Sequence, residues 1–135
     1  MYNTTASVLV VDHSRVMRLN LRLLTQKFLG PCRVREASNL AEAMDLLKHW
    51  TPDFATVDLN LKGDSGMDLV QELLKKLPAS RISLITANQM FGIQKQCDSL
   101  GVTYLSKSDY MEDKEGFTDQ FEDFLKMRSV KFTHY

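Results

Sequence analysis

The chain has 135 residues, 44% of them hydrophobic and 25% charged, which suffices for one ordinary core and one domain, 1–135. Its 17 basic and 17 acidic residues give a formal net charge of zero, which leaves no electrostatic footprint for nucleic acid or an anionic membrane surface. The opening MYNTTAS lacks a basic n-region and an apolar h-region, no apolar run could span a bilayer, and Cys32 and Cys97 have no metal spacing, so a cytoplasmic protein with two reduced thiols is expected.

Residues 7–12 form a continuous apolar run that ends on Asp12 and reads as a strand buried on both faces. Ser14 is placed to cap a helix whose face is Met17, Leu21, Leu24 and Phe28, and GPC at 30–32 breaks it. RVREA, 33–37, alternates like a strand. Asn39 with Glu42 three residues on has the form of a capping box, ahead of a helix carrying Leu40, Ala43, Met44 and Leu47. After the turn TPD, FATVD at 54–58 is another buried strand that ends in aspartate. The polar loop NLKGDSG leads to a helical stripe of Met67, Val70, Leu73, Leu74 and Leu77, closed by Pro78. RISLIT, 81–86, is the fourth strand. Met90, Ile93, Cys97 and Leu100 mark a helix in which Gly92 costs about 1 kcal/mol against alanine, with Gly101 as its stop. VTYLS, 102–106, is the last strand, and Phe117, Phe121, Phe124 and Leu125 define the last helix.

Strict β–α alternation predicts an α/β fold, a doubly wound parallel sheet of five strands with five helices on its two faces. Polar residues fall at the C-terminal ends of the strands: Asp12 and His13, Asp58, Thr86, and then Lys107. In open α/β sheets ligands bind along that edge. A strand-end carboxylate such as Asp58 can act as a nucleophile and form an acyl phosphate. The approach of two anions must then be relieved by a divalent cation and fixed donors. Asp12 can offer an oxygen to the cation, Lys107 a mobile positive charge, and Thr86 a hydroxyl donor, while the small Ala87 leaves the approach open.

These segments resemble the CheY-like receiver domains of two-component response regulators, over a core of about 7–126 with 127–135 as a C-terminal tail. VLVVDHSRVMR resembles the family's first-strand signature, and PDFATVDLNLKGDSGMDL its phosphoacceptor segment, with Asn60 two residues and Gly66 eight residues after Asp58. SLITAN is similar to the fourth-strand segment that carries the hydroxyl, and GVTYLSKS to the fifth, with its lysine at Lys107 and its switch aromatic at Tyr104. The resemblance implies strand order 2-1-3-4-5 and an Asp58 that accepts a phosphoryl group from a sensor histidine kinase or a histidine phosphotransfer protein. It implies Mg2+ held by Asp58, by the acidic pair after the first strand and by the Asn60 carbonyl. Thr86, Ala87 and Lys107 would surround the phosphoryl group, and Tyr104 would turn inward as Thr86 moves. The surface of the fourth helix, fifth strand and fifth helix would then change its downstream protein target, in a monomer or weak dimer.

The sequence departs from the family at four places. His13 stands where the second acidic residue belongs; an imidazole weakens the case for Mg2+ and favours Mn2+ or another softer ion, or a receiver that is seldom phosphorylated. Ser108 follows the lysine where proline is typical, which puts a cis peptide there in question. Lys62 replaces a common proline and is read as neutral. The stretch SDYMEDKEGF, 108–117, is long and acidic ahead of the last helix. After Lys126 only MRSVKFTHY follows, so output through protein binding or onward phosphotransfer is expected. The alternative is a degenerate receiver that binds partners without phosphorylation. An aspartate-nucleophile hydrolase lacks its second acid at Asn60, and a flavin carrier lacks a phosphate cradle, so a signalling protein rather than an enzyme is expected.

Overall fold

The computed structural model describes residues 5–87, 91–107 and 112–132, with side chains of the last helix followed to Lys126. Five strands, β1 (Ala6–Val11), β2 (Cys32–Ala37), β3 (Phe54–Asp58), β4 (Ile82–Thr86) and β5 (Thr103–Ser106), pair in parallel in the order β2-β1-β3-β4-β5. Among the described residues five α-helices alternate with them: α1 (Arg15–Leu29), α2 (Leu40–Leu47), α3 (Gly66–Leu73), α4 (Phe91–Leu100) and α5 (Lys114–Phe132). The doubly wound α/β fold and the strand order expected from the sequence are the ones found.

The apolar runs of β1, β3 and β4 are continuous because both faces of the sheet are covered. Val8, Val10, Phe54, Ile85 and Leu105 meet Met17 and Leu21 of α1 and Phe117, Phe121, Phe124 and Leu125 of α5. Phe54 and Phe124 meet edge to face, ring centroids 5.9 Å apart at 75°. On the other face Leu9, Val11, Ala55, Val57 and Leu84 pack with α2, α3 and α4. Strand order reverses between β1 and β3, so the edge where those two strands end is the natural crevice of the sheet.

Local signals account for most helix starts. The Ser14 hydroxyl accepts from the Met17 N–H at 3.2 Å, and the Asn39 side chain accepts from the Glu42 N–H at 2.8 Å. The reciprocal half of the expected box is displaced by one residue: Glu42 accepts from the N–H and the hydroxyl of Ser38 rather than from Asn39. α3 ends at Leu73, four residues before its apolar stripe does. Beyond it Lys75 and Lys76 bond three residues back in tighter turns, and Leu77, still buried, bonds back to the Leu73 carbonyl just ahead of Pro78, whose predecessor is disfavoured in helical geometry. The last helix begins at Lys114, earlier than the segment 108–117 suggested, and Asp113 starts it by accepting from the Gly116 N–H at 3.0 Å. Gly101 closes α4 at φ 82, a value L side chains avoid. Met90, the remainder of that acidic segment at 108–111, and the Lys107–Ser108 peptide bond lie outside the described residues.

One pair of core positions runs against the packing. Thr56 and Ser83 are register partners on β3 and β4, both fully buried, and neither hydroxyl has a hydrogen-bond partner. Desolvating a hydroxyl without a partner costs about 1–3 kcal/mol. Thr56→Val, which keeps the shape and removes the polar atom, is expected to hold stability or raise it by about 1 kcal/mol; the urea midpoint measures it.

Candidate functional site

The two acids come together because β1 and β3 are neighbours that end level with each other. Asp12 follows Val11, whose register partner is Val57, so Asp12 lies on the rung of Asp58. Both carboxylates are buried, at 0% and 2% exposure. Asp12 is fixed at three points. Its N–H reaches the Ala37 carbonyl at 3.1 Å, its Oδ1 accepts from the Ser14 N–H at 2.8 Å, and its carbonyl accepts from Arg18 Nη1 at 2.7 Å. Arg18 Nε also donates to Glu36 at 3.1 Å, and Arg22 Nε donates to the same carboxylate at 2.7 Å.

Asp58 is held from the following loop and from β5. The Asn60 N–H donates to Oδ1 at 3.2 Å. Lys107 reaches back from two residues beyond Leu105 and donates to Asp58 Oδ2 at 3.1 Å. The same ammonium lies 2.9 Å from Asp12 Oδ2 as an ion pair. His13 Nδ1 is 3.0 Å from Asp58 Oδ2, 3.1 Å from the Asn60 carbonyl and 3.9 Å from Asp12 Oδ1. Ligand atoms of Asp12, His13 and Asp58 all lie within 4.8 Å of one another. Burial pushes the Asp12 carboxyl above its ordinary range; the Ser14 N–H and the Lys107 ammonium oppose the rise, and the charge of Asp58 adds to it.

The loop after Asp58 is folded tightly back. Gly66 donates to the Leu59 carbonyl at 2.6 Å, and a Cβ on it would stand 2.0 Å from the Asp58 carbonyl oxygen. That spacing explains glycine eight residues after the acceptor: α3 starts against the backbone of β3, where no side chain fits. Lys62 has φ 52, which a proline ring forbids, so its replacement of proline is tied to the turn and is not neutral.

Of the residues singled out in the sequence, Asp12, His13, Asp58, Asn60 and Lys107 converge on one pocket. Thr86 is buried at the end of β4, one residue past Ile85, the register partner of Asp58, and Ala87 beside it is exposed. Tyr104 lies on β5 opposite Leu84, half-buried against the α2–α4 face. Arg18 and Glu36 were not foreseen. An Arg four residues after a helix cap and a Glu on an alternating strand are ordinary surface residues until the pairing of β1 with β2 sets them side by side.

The model of the response regulator receiver domain matches residues 8–115, and the chain belongs to that family. It is 31% identical over 86 residues to a sensory transduction protein LytR of Staphylococcus haemolyticus, covering 64% of this chain and 34% of that one. It is 32% identical over 80 residues to the chemotaxis protein CheY of Thermotoga maritima, covering 59% of this chain and 66% of the relative. Against the nitrate/nitrite response regulator NarP of Escherichia coli it is 33% identical over 85 residues, spanning 40% of that protein's length. Among solved structures it resembles a Burkholderia pseudomallei response regulator described with a phosphorylated aspartic acid, a calcium ion and citrate. That match has a TM-score of 0.68 at 28% identity and covers 93% of this chain and 72% of the other. The chemotaxis regulator CheY4 of Vibrio cholerae shares the fold, TM-score 0.69 at 21% identity over 93% of this chain and 99% of that one. No helix among the described residues is long and apolar enough to cross a membrane.

Two measurements probe the frame of the site. Gly66→Ala is expected to cost about 3 kcal/mol of stability, from a methyl driven into the β3 backbone, read by urea unfolding. Glu36 is only partly exposed; against the cost of burial, hydrogen bonds from Arg22 and Arg18 hold its carboxyl below the ordinary range. A carboxylate with a depressed pKa contributes stability above its unfolded pKa and loses it as pH falls through the folded one. Glu36→Gln should therefore cost about 1–2 kcal/mol at neutral pH, and the gap from wild type should narrow on acidification through the ordinary glutamate range.

Proposed function

We propose that Asp58 is the phosphoacceptor of this receiver, charged by a histidine kinase or a histidine phosphotransfer protein. The observation that carries the reading is the buried Asp58 carboxylate paired with the Lys107 ammonium at 3.1 Å on the edge where strand order reverses. In the reaction an Asp58 oxygen bonds to phosphorus as the bond from phosphorus to the donor imidazole nitrogen breaks, and the electron pair stays on that imidazole. Lys107, already between the two acids, follows the charge onto the phosphoryl oxygens. The Thr86 hydroxyl donates to one of those oxygens, and Ala87 keeps the approach clear. Movement of Thr86 is relayed to Tyr104 and so to the surface of α4, β5 and α5, which selects the downstream partner. The sensory transduction and nitrate/nitrite response regulator relatives, and the phosphorylated aspartic acid in the Burkholderia protein, support the same reading.

Asp12, Asp58 and the Asn60 carbonyl are the oxygens that could hold a divalent ion such as Mg2+ or Mn2+, which when bound would offset negative charge on the phosphoryl group. His13 does not suit the harder of these ions. The donor protein would dock beside the pocket, where Val16, Leu19 and Leu23 expose an apolar stripe on α1 that starts one turn from His13. A cytoplasmic monomer or weak dimer fits this role, with no nucleic acid or membrane as a direct partner.

Incubation with acetyl phosphate is expected to add one phosphoryl mass to the wild type with Mg2+ or Mn2+, little or none with chelator, and none to Asp58→Asn under any of these, by intact-mass spectrometry. A second reading is favoured by the hold of His13 on Asp58: a receiver that binds partners without phosphorylation. A wild type that gains no adduct under any of the three conditions overturns the acceptor reading and selects the second.

A further inference from the structure

We infer that the His13 N–H occupies the seat of the divalent ion in this receiver, so that Mg2+ binds only in competition with the protein's own side chain. The inference rests on the reading of Asp58 and its neighbours as a receiver site, and it concerns what that pocket holds before any phosphoryl group arrives. His13 Nδ1 lies within hydrogen-bond distance of Asp58 Oδ2, at 3.0 Å, and of the Asn60 carbonyl, at 3.1 Å. A carbonyl oxygen only accepts, so we assign the ring proton to the nitrogen facing it. A protonated ring nitrogen has no lone pair to give a metal. The ring is therefore no ligand in this arrangement; it is a donor seated among the ligands.

Most other carboxylate oxygens of the pocket are engaged in the same way. Asp58 Oδ1 takes the Asn60 N–H at 3.2 Å, and Asp12 Oδ1 takes the Ser14 N–H at 2.8 Å. Lys107 lies 2.9 Å from Asp12 Oδ2 and 3.1 Å from Asp58 Oδ2. Three of these four carboxylate oxygens already take a hydrogen bond from the chain, and Asp12 Oδ2, which has no hydrogen-bond partner, faces the Lys107 ammonium as an ion pair. The exchange of an acid for His13 therefore does two things: it removes an anionic oxygen, and it places a proton where the ion would sit. Mg2+ gives up its water reluctantly and wants oxygen in near-octahedral array, so it gains little by breaking both contacts of the ring. His13 is 32% exposed, and its ring can swing out toward solvent when an ion does displace it.

The test is an equilibrium Mg2+ titration of the full chain, without phosphodonor, followed by backbone amide shifts in NMR spectra of the wild type, His13→Ala and His13→Asp. Both variants are expected to bind Mg2+ at least tenfold more tightly than the wild type, with His13→Asp the tighter of the two. A wild type that binds as tightly as His13→Ala overturns the inference. A second readout needs no variant: the side-chain 15N spectrum of the metal-free wild type should show a protonated Nδ1, and an unprotonated Nδ1 also overturns it. Because neither measurement involves phosphate, failure here leaves the acceptor role of Asp58 standing, and failure of Asp58 to take phosphate leaves this result readable.

Discussion

Two carboxylates removed from water on adjacent strands repel each other and forfeit hydration, a penalty of several kcal/mol per buried ion in real proteins. Lys107 makes the arrangement tenable by placing one ammonium against both, 2.9 Å from Asp12 and 3.1 Å from Asp58. The rest of the structure serves that contact. Asp58 pairs with Ile85 and Ile85 with Leu105, so the lysine leaves β5 two residues above the acceptor's rung, and its long stem spans the remaining distance. A slip of one residue in either pairing would send Lys107 to the opposite face of the sheet. Phe117, Phe121 and Phe124 pack beneath this edge through Leu105 and Ile85, and hold the register from below.

The outline of the molecule was legible from the sequence because each strand buried on both faces has to be an unbroken apolar run. VLVV is such a run and FATV and SLI are interrupted only by Thr56 and Ser83, and strands of that kind occur almost only in helix-covered parallel sheets. Helix starts were legible for a different reason: a cap is a contact between residues two or three apart, so Ser14 and Asn39 carry their own partners with them. What could not be read depends on partners distant in sequence. The stop of α3 at Leu73 reflects Pro78 and the tighter turns at Lys75 and Lys76 ahead of the buried Leu77. Lys62 looked neutral because the sequence does not report a φ of 52.

The same limit applies within the site. Asp58, Lys107 and Asp12 could be picked out by type and by position at strand ends, since the ends of parallel strands share one edge. His13 could be picked out as an oddity, but its role could not, because orientation decides whether an imidazole ligates an ion or replaces it. The carbonyl of Asn60, a backbone group with no sequence signature, lies 3.1 Å from that ring and bears on the question only once the loop has folded. Arg18 and Glu36 extend the point. They hold the loop of Asp12 through its backbone, and that contact exists only because β2 lies beside β1 in register, Val10 opposite Glu36.

These bonds divide the pocket into fixed and movable parts. The backbone of Asp12 is tied to β2 and α1, and Asp58 Oδ1 to its own loop, so the two acids are set in place. Asp58 Oδ2 carries the two partners that can travel, the ring of His13 and the ammonium of Lys107, both on rotatable stems. When a carboxylate is converted to an acyl phosphate, its negative charge passes to the phosphoryl oxygens, two bonds further out. Donors on rotatable stems can follow that charge, and donors fixed in the backbone cannot. A pocket with its anions anchored and its other partners on rotatable stems is the arrangement that the proposed phosphoryl switch requires.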